Sequence, residues 1–377
     1  MRSARPRFSD FDRQCMARAL SLAARGLGYV EPNPLVGCVI VRGTRILAEG
    51  YHRRFGGPHA EVDALARCRS KPTGATAYVT LEPCSHQGKT PPCANALIDA
   101  RIARVVVPTS DPFPAVAGRG LRRLRAAGVR VDVGLCRDEA RRVNAPFFKR
   151  VRSARPYVIL KWAQSLDGKI ATRTGDSKWI TSARARREAH RLRARVDGIL
   201  VGVETVLADD PMLTCRHVRP RRTAVRVVLD SRLRTPPAAR LVTTAVTVPT
   251  WIVTTRTGLH RHARRARRLE RSGCTLLGLA ATRAGRVDPD ALLTVLGEQS
   301  WTNLLVEGGG RVLGAFFDAG LADEAHVFVA PRLIGGSGAP GPLGGQGPAE
   351  LTVPDSAHLV DARAVGVDRL YHFALRA

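Results

Sequence analysis

Nothing in this chain is apolar over the ~18 consecutive residues that a membrane-crossing helix needs. No apolar core follows the arginine-studded start, Met1 to Arg7, so no secretion signal is expected. Cysteine is sparse, with eight in 377 residues, too few for a disulfide scaffold. Six of them (Cys15, Cys38, Cys68, Cys136, Cys215 and Cys274) lie singly among apolar or helical neighbours and read as reduced residues of a cytoplasmic protein. Lysine is nearly missing: six of 60 basic residues. Aromatics are 5%, and none interleave with the basic runs, so no platform for stacking nucleic-acid bases is evident. The net charge of +28 is spread, +15 over residues 1–152 and +13 over the rest, with no basic tail. The densest run, Arg261 to Arg268, reads as one solvated helix face. These features argue against a nucleic-acid partner, while a diffuse positive field suits a small phosphorylated substrate. No GxGxxG follows an early strand, which leaves an ordinary Rossmann reading unsupported, and no internal repeat is present.

The length implies two or three domains. Apolar spacing predicts a helix over Phe11–Arg25, a hairpin of strands Val36–Val41 and Ile46–Tyr51, and a helix from His59. Strand Thr76–Leu81, helix Pro92–Ala100, strand Arg104–Val107, helix Arg119–Ala127, strand Val129–Val133 and helix Asp138–Phe148 follow. Such alternation predicts a sheet covered by helices on both faces. Residues 152–156 read as a polar linker. A second domain over 157–377 restarts with strand Tyr157–Ala163, helix Ala183–Ala194 and strand Gly198–Val201. Strands at 225–230, 250–254, 275–279, 303–306 and 324–330 follow, with helices at 290–298 and 311–319 and a C-terminal strand near Arg369–Leu375.

His59, Cys84 and Cys93 have the chemistry of a catalytic zinc site: three imidazole and thiolate ligands, with the fourth position left to water. Glu61 stands two residues from His59. Residues i and i+2 do not face each other on a regular helix, so the two share a site only at a helix entry. Gly56-Gly57-Pro58 supplies that entry, and Pro91-Pro92 puts Cys93 in a first turn. Glu61 is then placed to take a proton from water and pass it to a leaving amine, the division of labour of zinc-dependent base deaminases.

The second half holds a glycine cluster, Gly308-Gly309-Gly310, at the end of a strand and the start of a helix. Free N–H groups there suit a phosphate, although a tight turn without a ligand has the same pattern. Lys161 at the start of an apolar strand calls for a partner, and Asp209 is a candidate. A guanidinium can bind phosphate through two parallel hydrogen bonds, which would suit Arg193 and Arg216 as clamps, but singly each reads as a surface arginine in so arginine-rich a chain.

The string Thr80-Leu81-Glu82-Pro83-Cys84-Ser85-His86-Gln87-Gly88-Lys89-Thr90-Pro91-Pro92-Cys93, with eight residues between its cysteines, resembles the deaminase half of the bifunctional riboflavin-biosynthesis deaminase–reductases. So does Pro32-Asn33-Pro34-Leu35-Val36-Gly37. Lys161-Trp162-Ala163-Gln164-Ser165-Leu166-Asp167-Gly168, Ser177-Lys178-Trp179-Ile180-Thr181-Ser182 and Val206-Leu207-Ala208-Asp209-Asp210-Pro211 resemble the reductase half. The resemblance covers nearly the whole chain and is looser over the last hundred residues. It implies a cytidine-deaminase-like three-layer sandwich over 1–152 and a dihydrofolate-reductase-like α/β domain over 157–377. It implies one Zn2+ per chain and NADPH. It also implies deamination of 2,5-diamino-6-ribosylamino-4(3H)-pyrimidinone 5′-phosphate, followed by reduction of the ribosyl chain.

By the same resemblance, Asn33, His52, His86 and Lys89 meet the substrate in the first domain; Asn33 between prolines also reads as a plain turn residue. In the second, Ser177, Arg193, Leu213, Arg216 and Glu307 meet the substrate. Ala163, Trp179, Thr205, Asp209, Ser231 and the turn Gly309, Gly310, Arg311, Val312, Leu313, Gly314, Ala315 meet NADPH. Glu61, Lys161 and Asp209 are the expected catalytic residues, and a homo-oligomer is expected. Two readings compete: a deaminase whose second half no longer reduces, opposed by the intact Lys161, Asp209 and Glu307, and a nucleic-acid editing protein, opposed by the long inter-cysteine loop and the second domain.

Overall fold

The computed structural model describes residues 8–85, 91–114, 116–350 and 357–375. The chain divides into two compact units, Met1–Ser153 and Ala154–Ala377.

The first unit is built on five strands: β1 (Gly37–Arg42), β2 (Arg45–Tyr51), β3 (Thr76–Val79), β4 (Arg104–Val107) and β5 (Arg130–Val133), in the order β2-β1-β3-β4-β5. β1 runs antiparallel to β2 and β3, whereas β3, β4 and β5 are parallel. Successive strand residues point to opposite faces. Cys38 and Ile40 therefore enter a core with Ala60, Ala64, Leu97 and Leu124. Val39 and Val41 enter another with Met16, Ala19, Leu20 and Tyr78. The expected helix cover on both faces is present. Helix Asp10–Ala23 starts at a capping box, in which Ser9 and Asp12 satisfy each other's backbone N–H.

The single helix expected over Asp138–Phe148 is two, Arg137–Val143 and Ala145–Ser153. Asn144 separates them. Its buried amide accepts from Leu35 N (2.7 Å) and donates to Leu35 O (2.8 Å), as a strand neighbour would. Pro146 has no N–H for a continuing helix. The expected linker also shrinks, since Arg152 and Ser153 finish the second of these helices.

The second unit carries nine strands: β6 (Tyr157–Ser165), β7 (Gly198–Gly202), β8 (Val225–Leu229), β9 (Thr250–Thr255), β10 (Thr275–Leu279), β11 (Asn303–Gly308), β12 (Glu324–Ala330), β13 (His358–Val365) and β14 (Asp368–Ala374). Their order is β10-β9-β8-β7-β11-β6-β12-β14-β13, parallel from β10 to β12 and antiparallel at β14 and β13. Alternation again splits two cores: Ile159 and Leu305 face one side, Val158, Leu160, Leu304 and Val306 the other. Sequence spacing missed β13 because seven of its eight residues are exposed or half-exposed, so burial imposes no pattern. It also missed helix Val203–Asp209, whose last residue is Asp209.

Candidate active sites

In the first unit, His59 is the N-cap of helix Ala60–Ala66, with extended backbone (φ −72°, ψ 163°). This turning entry lets His59 and the buried Glu61 converge. Cys93 opens helix Cys93–Asp99 behind Pro92, and Cys84 lies in the loop after β3. His59 Nδ1 is 3.1 Å from Cys93 Sγ and 3.6 Å from Cys84 Sγ, and Cys93 N donates to Cys84 Sγ at 3.3 Å. Bond lengths of ~2.0 Å to nitrogen and ~2.3 Å to sulfur in a tetrahedral zinc site put N and S about 3.5 Å apart. All three donor atoms lie within 4.8 Å of one another, so the trio fits that ion. The Cys84 thiol is pulled down to about 4 by its hydrogen bond with Cys93 and by His59, while the same bond and burial hold Cys93 up. One thiolate is thus already favoured. Burial, then the Cys84 charge, raises the Glu61 carboxyl to about 7, where it can both accept and release a proton.

His59, Glu61 and Cys84 line a cavity of about 430 Å3 together with Asn33 and His52. His52 Nδ1 lies 2.9 Å from Pro58 O, which makes it the donor nitrogen; its Nε2, 3.3 Å from Asn33 Nδ2, then accepts. The Asn33 amide is oriented by this relay rather than by a turn alone. His86 and Lys89 lie outside the described residues.

Sequence reading missed Glu82 and Asp111. Glu82 is buried and accepts N–H groups from Asp111 (3.1 Å), Gly118 (2.8 Å), Gly120 (2.9 Å) and Leu121 (3.3 Å). Glu82, two residues before Cys84, thus pins the segment that presents Asp111 to the cavity and the start of helix Arg119–Ala126. Burial raises the Asp111 carboxyl to about 6. The available signal was the Pro/Gly-rich run Asp111–Gly120, a loop composition between two strands.

In the second unit, Lys161 is the fifth residue of β6, not its opening residue. Strand order puts β11 beside β6, with Val306 opposite Leu160, and so brings Glu307 to Lys161. Burial holds the Lys161 ammonium below its usual range, against the opposing charge of Glu307. The pairing with Asp209 does not form: Asp209 Oδ1 is 3.3 Å from Lys178 Nζ. Asp209 ends the helix after β7, and β11 stands between β7 and β6.

Arg193 reaches Glu307 through two parallel bonds, Nε–Oε1 2.7 Å and Nη2–Oε2 2.6 Å, and donates to Thr214 O at 3.2 Å. Despite its burial, Glu307 is held down to about 2 by Arg193. Burial and then Arg193 and Arg216 push His190 down to about 4, so the ring is neutral. Lys161, Ala163, Trp179, His190, Arg193 and Arg216 share one cavity of about 450 Å3. Leu213 is instead buried in the core at φ +49°. Ser177 is half-buried before Trp179, whose ring carries the Arg186 guanidinium at 4.4 Å.

Of the other expected cofactor residues, Ser231, Arg311, Val312 and Ala315 line a second cavity of about 560 Å3. The glycine cluster sits where expected, between β11 and helix Gly310–Asp318. Gly308 has φ +131°, open only to glycine. A Cβ at Gly314 would lie 1.4 Å from Gly344 O, so that glycine serves packing, and Leu313 is buried in the core. Gly309 has only Thr205 Oγ1 nearby, which accepts its N–H at 2.9 Å.

Residues 9–109 match the cytidine and deoxycytidylate deaminase zinc-binding region, and residues 156–368 match the RibD C-terminal domain. The chain is 43% identical to the riboflavin biosynthesis protein RibD of Actinobacillus pleuropneumoniae, over 97% of this chain and 95% of that one. It is 46% identical to the protein of the same name from Escherichia coli strain K12, over 86% and 89%. A solved structure from Thermotoga maritima, a diaminohydroxyphosphoribosylaminopyrimidine deaminase/5-amino-6-(5-phosphoribosylamino)uracil reductase, superposes with a TM-score of 0.82 at 34% identity. It covers 97% of this chain and 99% of its own. Among the described residues no helix is long and apolar enough to cross a membrane.

Proposed function

This chain belongs to the RibD family of bifunctional deaminase–reductases of riboflavin biosynthesis, and on that premise we propose which residues carry each reaction. The first reaction is hydrolytic deamination of 2,5-diamino-6-ribosylamino-4(3H)-pyrimidinone 5′-phosphate. The second is NADPH-dependent reduction of 5-amino-6-(5-phosphoribosylamino)uracil to the ribitylamino product.

The observation that carries the first assignment is the convergence of His59, Cys84 and Cys93 beside a buried Glu61, at a cavity that His59, Cys84 and Glu61 line. These three residues would hold zinc, which supplies Lewis-acid activation of water when bound. Glu61 takes the proton of the attacking water and delivers it to the departing amine, so that ammonia leaves neutral. Asn33, oriented by His52, pairs with the pyrimidine edge.

In the second unit NADPH, when bound, supplies the hydride. The start of helix Gly310–Asp318 offers its free N–H groups to the phosphates, with Gly309 letting them approach the backbone. Lys161 acts on the sugar: an ammonium beside the ring oxygen promotes opening of the ribose. Glu307 keeps that ammonium in place and Arg193 keeps Glu307 ionised. With Arg193 engaged, Arg186, Arg187 and Arg216 are the other arginines that line this cavity, available to the substrate phosphate. Asp209 orients Lys178 at the rim.

A cytoplasmic location, supported by eight free cysteines, and assembly into a homo-oligomer complete the proposal. The test supplies the diaminopyrimidine phosphate with and without NADPH, and follows ammonia and NADPH absorbance separately. Ammonia release without NADPH and oxidation only with it are expected. NADPH oxidation without prior ammonia release would overturn the order.

A further inference from the structure

Glu324, His326 and His372 bring three ligand atoms within 4.8 Å of one another, far in sequence from the deaminase cluster. The sheet assembles them. Glu324 and His326 are alternate residues of β12 and so share a face. His326 is opposite His372 of β14 in antiparallel register. The two imidazoles stack with centroids 4.5 Å apart and planes 12° from parallel. Both rings aim Nε2 at the same oxygen: His372 Nε2 is 3.2 Å from Glu324 Oε1, and His326 Nε2 is in closer contact with it.

We propose that Glu324, His326 and His372 form a second metal site, for a borderline divalent cation such as Zn2+, within the reductase unit. Two imidazoles and one carboxylate are a donor set that such ions take in preference to Mg2+ or Ca2+. The donors are on two adjacent strands of a sheet, and a rigid support keeps the geometry. An ion here would tie β12 to β14 one strand away from Lys161, since His326 is also the register partner of Lys161.

The probe is Co2+, titrated into metal-free full-length protein. An ion held by thiolates gives an intense near-ultraviolet charge-transfer band, whereas an ion held by imidazole and carboxylate gives only weak visible bands. Two ions per chain are expected, one of each kind. His372→Gln, at a partly exposed position, should weaken the second by ~10-fold or more and leave the thiolate band unchanged. Glu324→Gln, which keeps the size of the side chain, should do the same. Circular dichroism and melting of the metal-free variants check that they fold. A single ion showing the thiolate band, or a second ion equally tight in both folded variants, would reduce the trio to an ion pair and overturn the site. Loss of the thiolate band alone would count against the deaminase cluster and not against this one.

Discussion

Arg193 and Glu307 form a two-pronged ion pair, at 2.7 and 2.6 Å, with Glu307 next to the register partner of Leu160 and thus beside Lys161. The pair sets the charge seen by the lysine. An arginine expected to clamp phosphate is instead the support of a carboxylate.

Removing one partner of a buried pair leaves an uncompensated charge. Glu307→Gln should therefore cost about 3–5 kcal/mol of stability at neutral pH. Glu307 has a folded pKa of about 2, below its unfolded value of ~4.3. Its contribution is thus fully present above the unfolded value and is lost as pH falls through the folded one. The gap in unfolding free energy between wild type and Glu307→Gln should be flat from pH 8 to about 5 and shrink below about 4.3. A gap that instead widens on acidification would contradict the ionised pair.

Lys161→Ala should abolish NADPH oxidation with deaminated substrate while leaving cofactor binding and melting temperature close to wild type. A lysine with only a structural role would lower binding and turnover in step with the folded fraction. Full turnover in well-folded Lys161→Ala protein would end its catalytic assignment.

For the first unit, metal analysis should find zinc lost from Cys84→Ser together with ammonia release. Glu61→Gln should keep the metal yet lose deamination by ~10²-fold or more, the usual scale for a proton-transfer group. Its reduction of deaminated substrate should be unchanged. Near-normal ammonia release from Glu61→Gln would remove Glu61 from the mechanism.

Two glycines five positions apart, Gly309 and Gly314, should fail differently. Gly309→Val meets little but Thr205 and should raise the NADPH Kd with the fold intact. Gly314→Ala drives a Cβ to within 1.4 Å of Gly344 O and should lower the melting temperature. Titration of cofactor beside thermal melts distinguishes them. Unchanged NADPH affinity in Gly309→Val would leave the cluster as only a turn.

Much of the fold and the deaminase site was legible from local pattern. A proline-opened Cys93, a helix entry at His59 and alternating strands are decided by neighbours within a few residues, and both strand Arg104–Val107 and strand Glu324–Ala330 lie at the bounds the spacing predicts. By itself the sequence determined the ligand chemistry, the order of most elements and the family. Only the tertiary structure decided that Lys161 faces Glu307 and not Asp209, because strand order places β11 between β6 and β7. It also decided that Glu82 gathers four N–H groups from residues 29 to 39 positions away, and that two histidines 46 positions apart share one carboxylate oxygen. Such contacts depend on sheet order and register, which hydrogen bonding between distant strands sets and no local periodicity records.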